Sequence, residues 1–514
     1  YFTMNIISCF RGALRAALCL SVLSSCSGAV TGSSYEVRTP LSSTGIRLEG
    51  LGVELDPHFI SQNVTRNDGA TLEDWRDIVV RRVKMMDVQR FRVMLLPHWW
   101  EPVNDNQDSQ VADMDRFTFD SAEMRSVCAV LDLAQETGAS VMLVLWGCPA
   151  CCSFVDESVP SHGQRHFLCD RSGTNWVTAP GDNEEFAENF SVVVKHLIED
   201  KGYTCIKEVT PFNEPDGNVC EPDQYIQIVK ALDRRFRLDG IRDKVRFNLS
   251  DNTDCRRFFL KECADNLADY ADMFNSHTYM CGYESPNSYA LGWEKDNIDV
   301  VRKTGKHHFV GEFGSNLCQG ASRQKDINWY KRGVLITRNC LNFLNAGAVG
   351  ASYWSLIDQY YNKGASYEEM QQLGLWRYKK CAYQGADAEG FEEDYQPRPN
   401  YYAYSLLTRF VRRGDEVFPL DLRNEYAAGT AFRSEDGRWT YVFANGSEDD
   451  AEFNLFNVND VNLGDCEVYR YTEAGLPDDD SMISPCGVLR SSGKSYKVSV
   501  PAQSVLLLEQ KYSE

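Results

Sequence analysis

Short, almost wholly apolar runs alternate with amphipathic stretches of helical period over most of this chain. The apolar runs fall at 47–55, 88–95, 140–146, 206–212, 245–249, 273–277, 307–312 and 350–354. Between them, segments such as 72–86, 121–136, 183–199, 223–237, 258–271, 326–345 and 400–411 place apolar residues on one helical face. Runs that are apolar on both faces of a strand predict parallel strands buried on both sides. Eight of them with helices between predict a (β/α)8 TIM barrel over residues 46–411. A doubly wound open sheet fits less well, because no glycine-rich phosphate loop follows the first run. After Val411 the helical period stops. Short β-type runs at 428–432, 439–444, 467–471, 496–500 and 504–509, separated by turn residues, predict an antiparallel β-sandwich over 412–514, with a contribution from a strand within 35–45.

The first residues carry an address rather than a fold. Counting from Met4, Arg11 and Arg15 precede an apolar stretch, 16–23, that ends in Leu23-Ser24-Ser25-Cys26. This is the order of a secretory signal, and the ending resembles a bacterial lipobox, so 4–26 is expected to direct export and Cys26 to be lipidated. No later apolar run is long enough to span a bilayer, which leaves the lipid as the expected membrane attachment and a periplasmic or cell-surface location. The formal charge of −21 argues against a nucleic-acid partner, because phosphate contact needs basic patches. Of 18 cysteines, Cys148, Cys151, Cys152 and Cys169 crowd one stretch, and Cys466 and Cys486 share another. The crowded stretch lacks paired zinc-ligand spacing, so loop-stapling disulfides are expected there instead of a metal.

Barrel enzymes carry their chemistry at the C-terminal ends of the strands. The fourth run ends Asn213-Glu214-Pro215 and the seventh ends Gly311-Glu312-Phe313-Gly314, each setting a carboxylate just past an apolar strand. That is an expensive place for a charge with only a structural role. Two carboxylates across a barrel mouth suit glycosidic bond cleavage, in which one protonates the leaving oxygen and the other attacks the anomeric carbon.

Together these two motifs resemble glycoside hydrolase clan A, the retaining (β/α)8 glycosidases. The resemblance implies that Glu214 is the general acid/base, Glu312 the nucleophile, and Asn213 a partner of the sugar 2-hydroxyl. Arg92 on strand two and His277-Thr278-Tyr279 on strand six resemble the clan's supports of the nucleophile, and Trp354 its aromatic floor under the sugar. The Gly-Glu-Phe-Gly run and Arg92 look like family 5. Trp146-Gly147-Cys148-Pro149 after strand three and the C-terminal β-sandwich look more like families 30 and 39. A negative Glu312 is expected to raise the pKa of Glu214, and Arg92 and Tyr279 to keep Glu312 ionised. Two carboxylates need no metal or organic cofactor. A carbohydrate is the expected partner, and the reading is an exported retaining β-glycosidase. A transglycosylase would use the same residues; a non-catalytic glycan-binding lipoprotein would have lost one of them. Structural readings compete for each residue: an ion pair with another acid for Arg92, a core histidine for His277, packing for Trp354. Trp99, Trp100, Trp146, Tyr360 and Tyr361 are further aromatic candidates for the cleft, while Trp176 and Trp293 fall in loops without an assigned place.

Overall fold

In a computed structural model, residues 35–57, 72–150, 165–172, 177–253, 256–317, 324–360, 370–377, 395–460 and 463–511 are described. The eight apolar runs form eight parallel strands: β1 (Gly50–Glu54), β2 (Arg90–Leu95), β3 (Ser140–Leu145), β4 (Ile206–Thr210), β5 (Arg246–Asn252), β6 (Met273–Thr278), β7 (His308–Phe313) and β8 (Gly350–Tyr353). Each pairs with its neighbour in sequence, and β8 returns to β1 through Gly350–Gly50 to close the barrel. The predicted helix at 72–86 is one continuous helical stretch with a π-turn at Trp75–Val80. The last barrel helix, Pro399–Phe410, buries Tyr401 and Tyr404, and Tyr404 donates to Gly52 O at 2.6 Å.

The floor of the barrel is polar. Arg90 (β2) and Arg246 (β5) both pair with Glu208 (β4), which also accepts from Asn248 at 2.8 Å. Burial works to raise the Glu208 pKa, but the two guanidiniums hold it down at about 2.

Two antiparallel assemblies follow the barrel. A six-stranded sheet runs in the order Glu416–Leu420, Ala427–Arg433, Trp439–Asn445, Ser504–Gln510, Cys466–Tyr471, Gly487–Leu489. Facing it is a three-stranded sheet of Ala451–Phe456, Ser495–Val500 and the N-terminal strand Tyr35–Arg38, which pairs parallel to Ala451–Phe456. Strand alternation splits the larger sheet between two cores. Trp439, Tyr441, Phe443, Leu506 and Leu508 pack with Phe453 and Tyr496 of the smaller sheet. Val442, Ala444, Val505 and Leu507 face the barrel's own core. Helix Tyr330–Ala346 lies at that junction, where Tyr330 stacks on Tyr471 with ring centroids 4.7 Å apart.

All ten described cysteines are free thiols. The expected staples are therefore absent among them: Cys148 and Cys169 are buried and unbonded, and Cys169 Sγ donates instead to the Pro149 carbonyl at 2.7 Å. Cys466 is buried within a strand, while Cys486 is exposed at the sheet edge. Cys151 and Cys152, and the signal-like segment with Cys26, lie outside the described residues. Among the described residues no helix is long and apolar enough to cross a membrane.

Candidate active site

Every barrel strand delivers a side chain to one cluster at the C-terminal mouth: Glu54, Arg92, Trp146, Glu214, Asp251, His277, Glu312 and Trp354, from β1 through β8 in turn. Local backbone devices aim several of them. The β6–β7 register shifts between Val310 and Glu312, a bulge at Gly311 that turns Glu312 inward. Only a glycine fits there, because a Cβ would overlap Asn275 Oδ1 and come 3.2 Å from Asp251 Oδ1. A second shift, between Ser250 and Asn252, puts Ser250 (φ 79°) and Asp251 (φ 49°) in the left-handed region. Glu214 is left-handed too, at φ 44°, and its N–H donates to the Asp251 carbonyl at 3.0 Å. Non-glycine residues hold such conformations at a cost, and they concentrate at functional sites.

Arg92 organises the cluster. One guanidinium nitrogen donates to Glu312 Oε1 at 2.6 Å and Glu54 Oε2 at 2.9 Å. The other donates to Asp251 Oδ2 at 2.6 Å and Asn213 Oδ1 at 2.7 Å. The two sequence readings of Arg92 thus coexist, since it holds Glu312 and also pairs with other buried acids. The second oxygen of Glu312 accepts from the Tyr279 hydroxyl at 2.8 Å. His277, fully buried, sets Nδ1 2.9 Å from Glu214 Oε1 and 3.4 Å from Glu312 Oε2, with Nε2 3.3 Å from Asp251 Oδ1. Trp146 and Trp354 stack with centroids 5.8 Å apart, and the Arg92 guanidinium lies 5.2 Å from the Trp146 ring centre.

The electrostatics follow from burial. Desolvation works against a charge on His277, but Glu312 and Asp251 more than offset it and raise its pKa well above the usual imidazole value. His277 is thus an imidazolium whose two N–H groups point at carboxylates. Asp251, despite burial, is held low by Arg92 and His277. Burial raises Glu312, with His277 and Arg92 opposing it; the ionised nucleophile expected from sequence depends on both of these cations. Burial also pushes Glu54 well up against the pull of Arg92, with Asp56 and Glu312 adding to it.

Glu214, His277 and Glu312 each offer a ligand atom, and these lie within 4.8 Å of one another. The trio is nonetheless a poor metal site. His277 carries its protons between carboxylates, and Arg92 already supplies a fixed cation on Glu312.

Asp251 and Glu54 were absent from the sequence reading. The fifth apolar run ends at Leu249, short of Asp251, and the first run extends one residue past Glu54. The same strand-end rule, applied residue by residue, would have found both. Trp100 is a core residue and not a cleft residue: it is fully buried, and its indole N–H donates to Asn189 O at 3.0 Å. Trp293 packs on an outer helix against Arg257, 4.5 Å from its ring centre. Trp176 and Tyr361 lie outside the described residues.

No family model matches the chain, and no curated protein matches it in sequence. Solved structures do match in fold. A glycoside hydrolase family 30 subfamily 8 xylanase, Xyn30A, from Clostridium acetobutylicum is 13% identical with a TM-score of 0.60, over 93% of this chain and 100% of that one. The catalytic domain of the family 30 xylanase C from Talaromyces cellulolyticus is 15% identical with a TM-score of 0.62, over 93% and 100%. A family 39 β-xylosidase from Caulobacter crescentus is 12% identical with a TM-score of 0.58, again over 93% and 100%. At such identities the likeness is one of fold. It extends over barrel and β-sandwich alike, and the structures this chain resembles are glycosidases of the clan A type.

Proposed function

We propose that this chain is a retaining β-glycosidase acting on a polysaccharide or an oligosaccharide derived from one. The observation that carries the proposal is the approach of Glu214 and Glu312, whose nearest carboxylate oxygens lie within 4.8 Å across the barrel mouth. Retaining enzymes hold the pair about 5–5.5 Å apart, whereas inverting enzymes leave a gap of about 6.5–9.5 Å for a water. Glu312 then attacks the anomeric carbon while Glu214 gives its proton to the departing oxygen. The C–O bond to the leaving group breaks and a glycosyl ester forms on Glu312. In the second half, Glu214 takes a proton from water, which attacks the same carbon and frees the enzyme. Arg92 holds Asn213 by its oxygen, which leaves the amide NH2 for the sugar 2-hydroxyl. The Trp146–Trp354 pair offers an apolar wall for the C–H face of a pyranose. Because the neighbours are named as xylanases and a xylosidase, β-xylans and aryl β-xylosides head the substrate panel.

The decisive test is turnover of an aryl β-glycoside. Glu312→Gln is expected to abolish it with the fold intact by circular dichroism. Glu214→Ala is expected to lose turnover and regain it with azide when the leaving group is good. Near-wild-type activity of Glu312→Gln overturns the proposal. Product analysis with an added acceptor sugar separates hydrolysis from transglycosylation. Export and lipidation at Cys26 belong to the same proposal, read from the lipobox-like sequence alone; Cys26→Ser is expected to move the protein from the membrane fraction to the soluble one.

A further inference from the structure

The loop that follows β2 folds back against helices Asn183–Lys195 and Pro222–Leu238. It brings Glu101 and Asp105 against Glu185 and Glu188 of the first helix. All four are buried, with exposures of 1%, 4%, 8% and 1%. The guanidinium that faces them is Arg235, and it is already shared: it lies 3.6 Å from Glu188, donates to Asp239 at 2.8 Å, and donates to the Ser109 carbonyl at 3.0 Å. Among the described residues one divided cation faces these four buried carboxylates, so ionising them leaves a large uncompensated negative charge.

The hydrogen bonds do not remove it. Glu101 accepts from the Asp105 N–H at 3.1 Å and from Asn189 Nδ2 at 2.7 Å, and Asp105 Oδ2 accepts from the Asn106 amide and the Asp113 N–H. Five further buried oxygens have no donor among the described residues: Asp105 Oδ1, Glu185 Oε1, both oxygens of Glu188, and Asn189 Oδ1. A buried oxygen without a partner is costly and calls for an explanation. Two of the orphan-bearing residues belong to one trio, in which Glu101, Asp105 and Glu185 each set a carboxylate oxygen within 4.8 Å of the others. Oxygens bound to one Ca²⁺ at about 2.3–2.6 Å lie at most about 5 Å apart, so the three oxygens are close enough to share one cation.

We propose that Glu101, Asp105 and Glu185 bind a single calcium-class divalent cation that clamps the β2 loop to the barrel. The donor set selects the class. It is all oxygen and rich in carboxylate, which suits a hard cation and gives zinc neither thiolate nor imidazole. Two of the ligands come from a loop, whose latitude suits the variable geometry of Ca²⁺ better than the strict octahedron of Mg²⁺.

The test uses the full chain, stripped with EDTA and passed into metal-free buffer. Adding CaCl2 is expected to load one equivalent of calcium, measured by elemental analysis after gel filtration. It is also expected to raise Tm by several degrees, as ligand binding to the folded state does. MgCl2 at the same concentration is expected to do much less. The pair Asp105→Asn and Glu185→Gln should lose the bound calcium and the calcium-dependent rise in Tm. Wild-type protein that binds no calcium and whose Tm ignores both EDTA and CaCl2 overturns the proposal. So does a preference for Mg²⁺, and so does calcium that stays bound in the double variant. The wild-type titration decides the matter even if the double variant fails to fold, and it does not depend on any glycosidase activity.

Discussion

Replacing Asp251 by Asn changes one buried atom type and leaves the shape of the site almost unaltered. Asp251 Oδ1 lies 3.3 Å from His277 Nε2 in a region with no solvent exposure, so screening by water is slight. At an effective dielectric of about 20, two unit charges at that separation attract by about 5 kcal/mol. Losing that attraction lowers the His277 pKa. Glu312, the largest of the charges that raise it, still opposes desolvation, so the ring loses its proton at a lower pH than in the wild type. In the wild type, the charge on His277 has its full effect below the usual imidazole pKa and is lost only as pH rises through a value well above it. In the variant that loss comes at a lower pH. Glu312 sits 3.4 Å from the same ring and loses one of its two supporting cations, so its own pKa rises further. The expected result is a fall in kcat/KM of about 10- to 100-fold at pH 7, shrinking toward acid pH where His277 is again charged. A pH–rate profile on an aryl β-glycoside reads the first effect. Nitrogen NMR shifts of the imidazole read the second without relying on turnover. A profile of wild-type shape, merely scaled down, with His277 losing its proton no earlier than in the wild type, would refute the reasoning.

Gly311→Ala should damage the site through the backbone, because its Cβ would overlap Asn275 Oδ1 next to Asp251; a fall in kcat with little change in KM, or a Tm loss of several degrees, is expected, and wild-type values for both would count against the bulge as an aiming device. At the barrel floor, Glu208→Gln leaves Arg90 buried beside a neutral amide and should cost about 3–5 kcal/mol in urea unfolding. The wild-type Glu208 pKa is held at about 2, below the ordinary 4.5. Its ionised form therefore contributes stability fully above 4.5 and loses it as pH falls toward 2, so the wild type should lose stability over that interval more steeply than the variant.

The barrel was legible because its strands are apolar throughout and spaced by helices, and the two glutamates stood out as charges at the ends of such runs. The helix Asn287–Arg302 shows where that signal fades. Its buried face carries Asn287, Glu294 and Asn297, and Glu294 pairs with His308 of β7 at 2.6 Å. Hydrophobic period cannot register a face that is buried by ion pair and amide. Asp251 was hidden for a related reason: a bulged, left-handed Ser-Asp-Asn has the composition of a turn, and only the pairing to β6 makes it a strand. The free thiols at Cys148 and Cys169 are not readable from cysteine spacing, since it says nothing of which carbonyls stand nearby.

The N-terminal strand has a consequence for how the molecule is assembled. Tyr35–Arg38 pairs with residues 453–456, and Thr39 donates to Asn457 Oδ1 across a separation of 418 residues. The segment made before the barrel therefore finds its place only after nearly all of the barrel and half of the sandwich exist. In effect the barrel is inserted within the sandwich, and cutting the chain after residue 411 would not release an intact catalytic unit. Such a cut would strand the first strand without a sheet and bare the face of Tyr330–Ala346 that packs on Tyr471. Closure of a loop this long is slow, so the small sheet is the expected last step of folding and the first to open under strain.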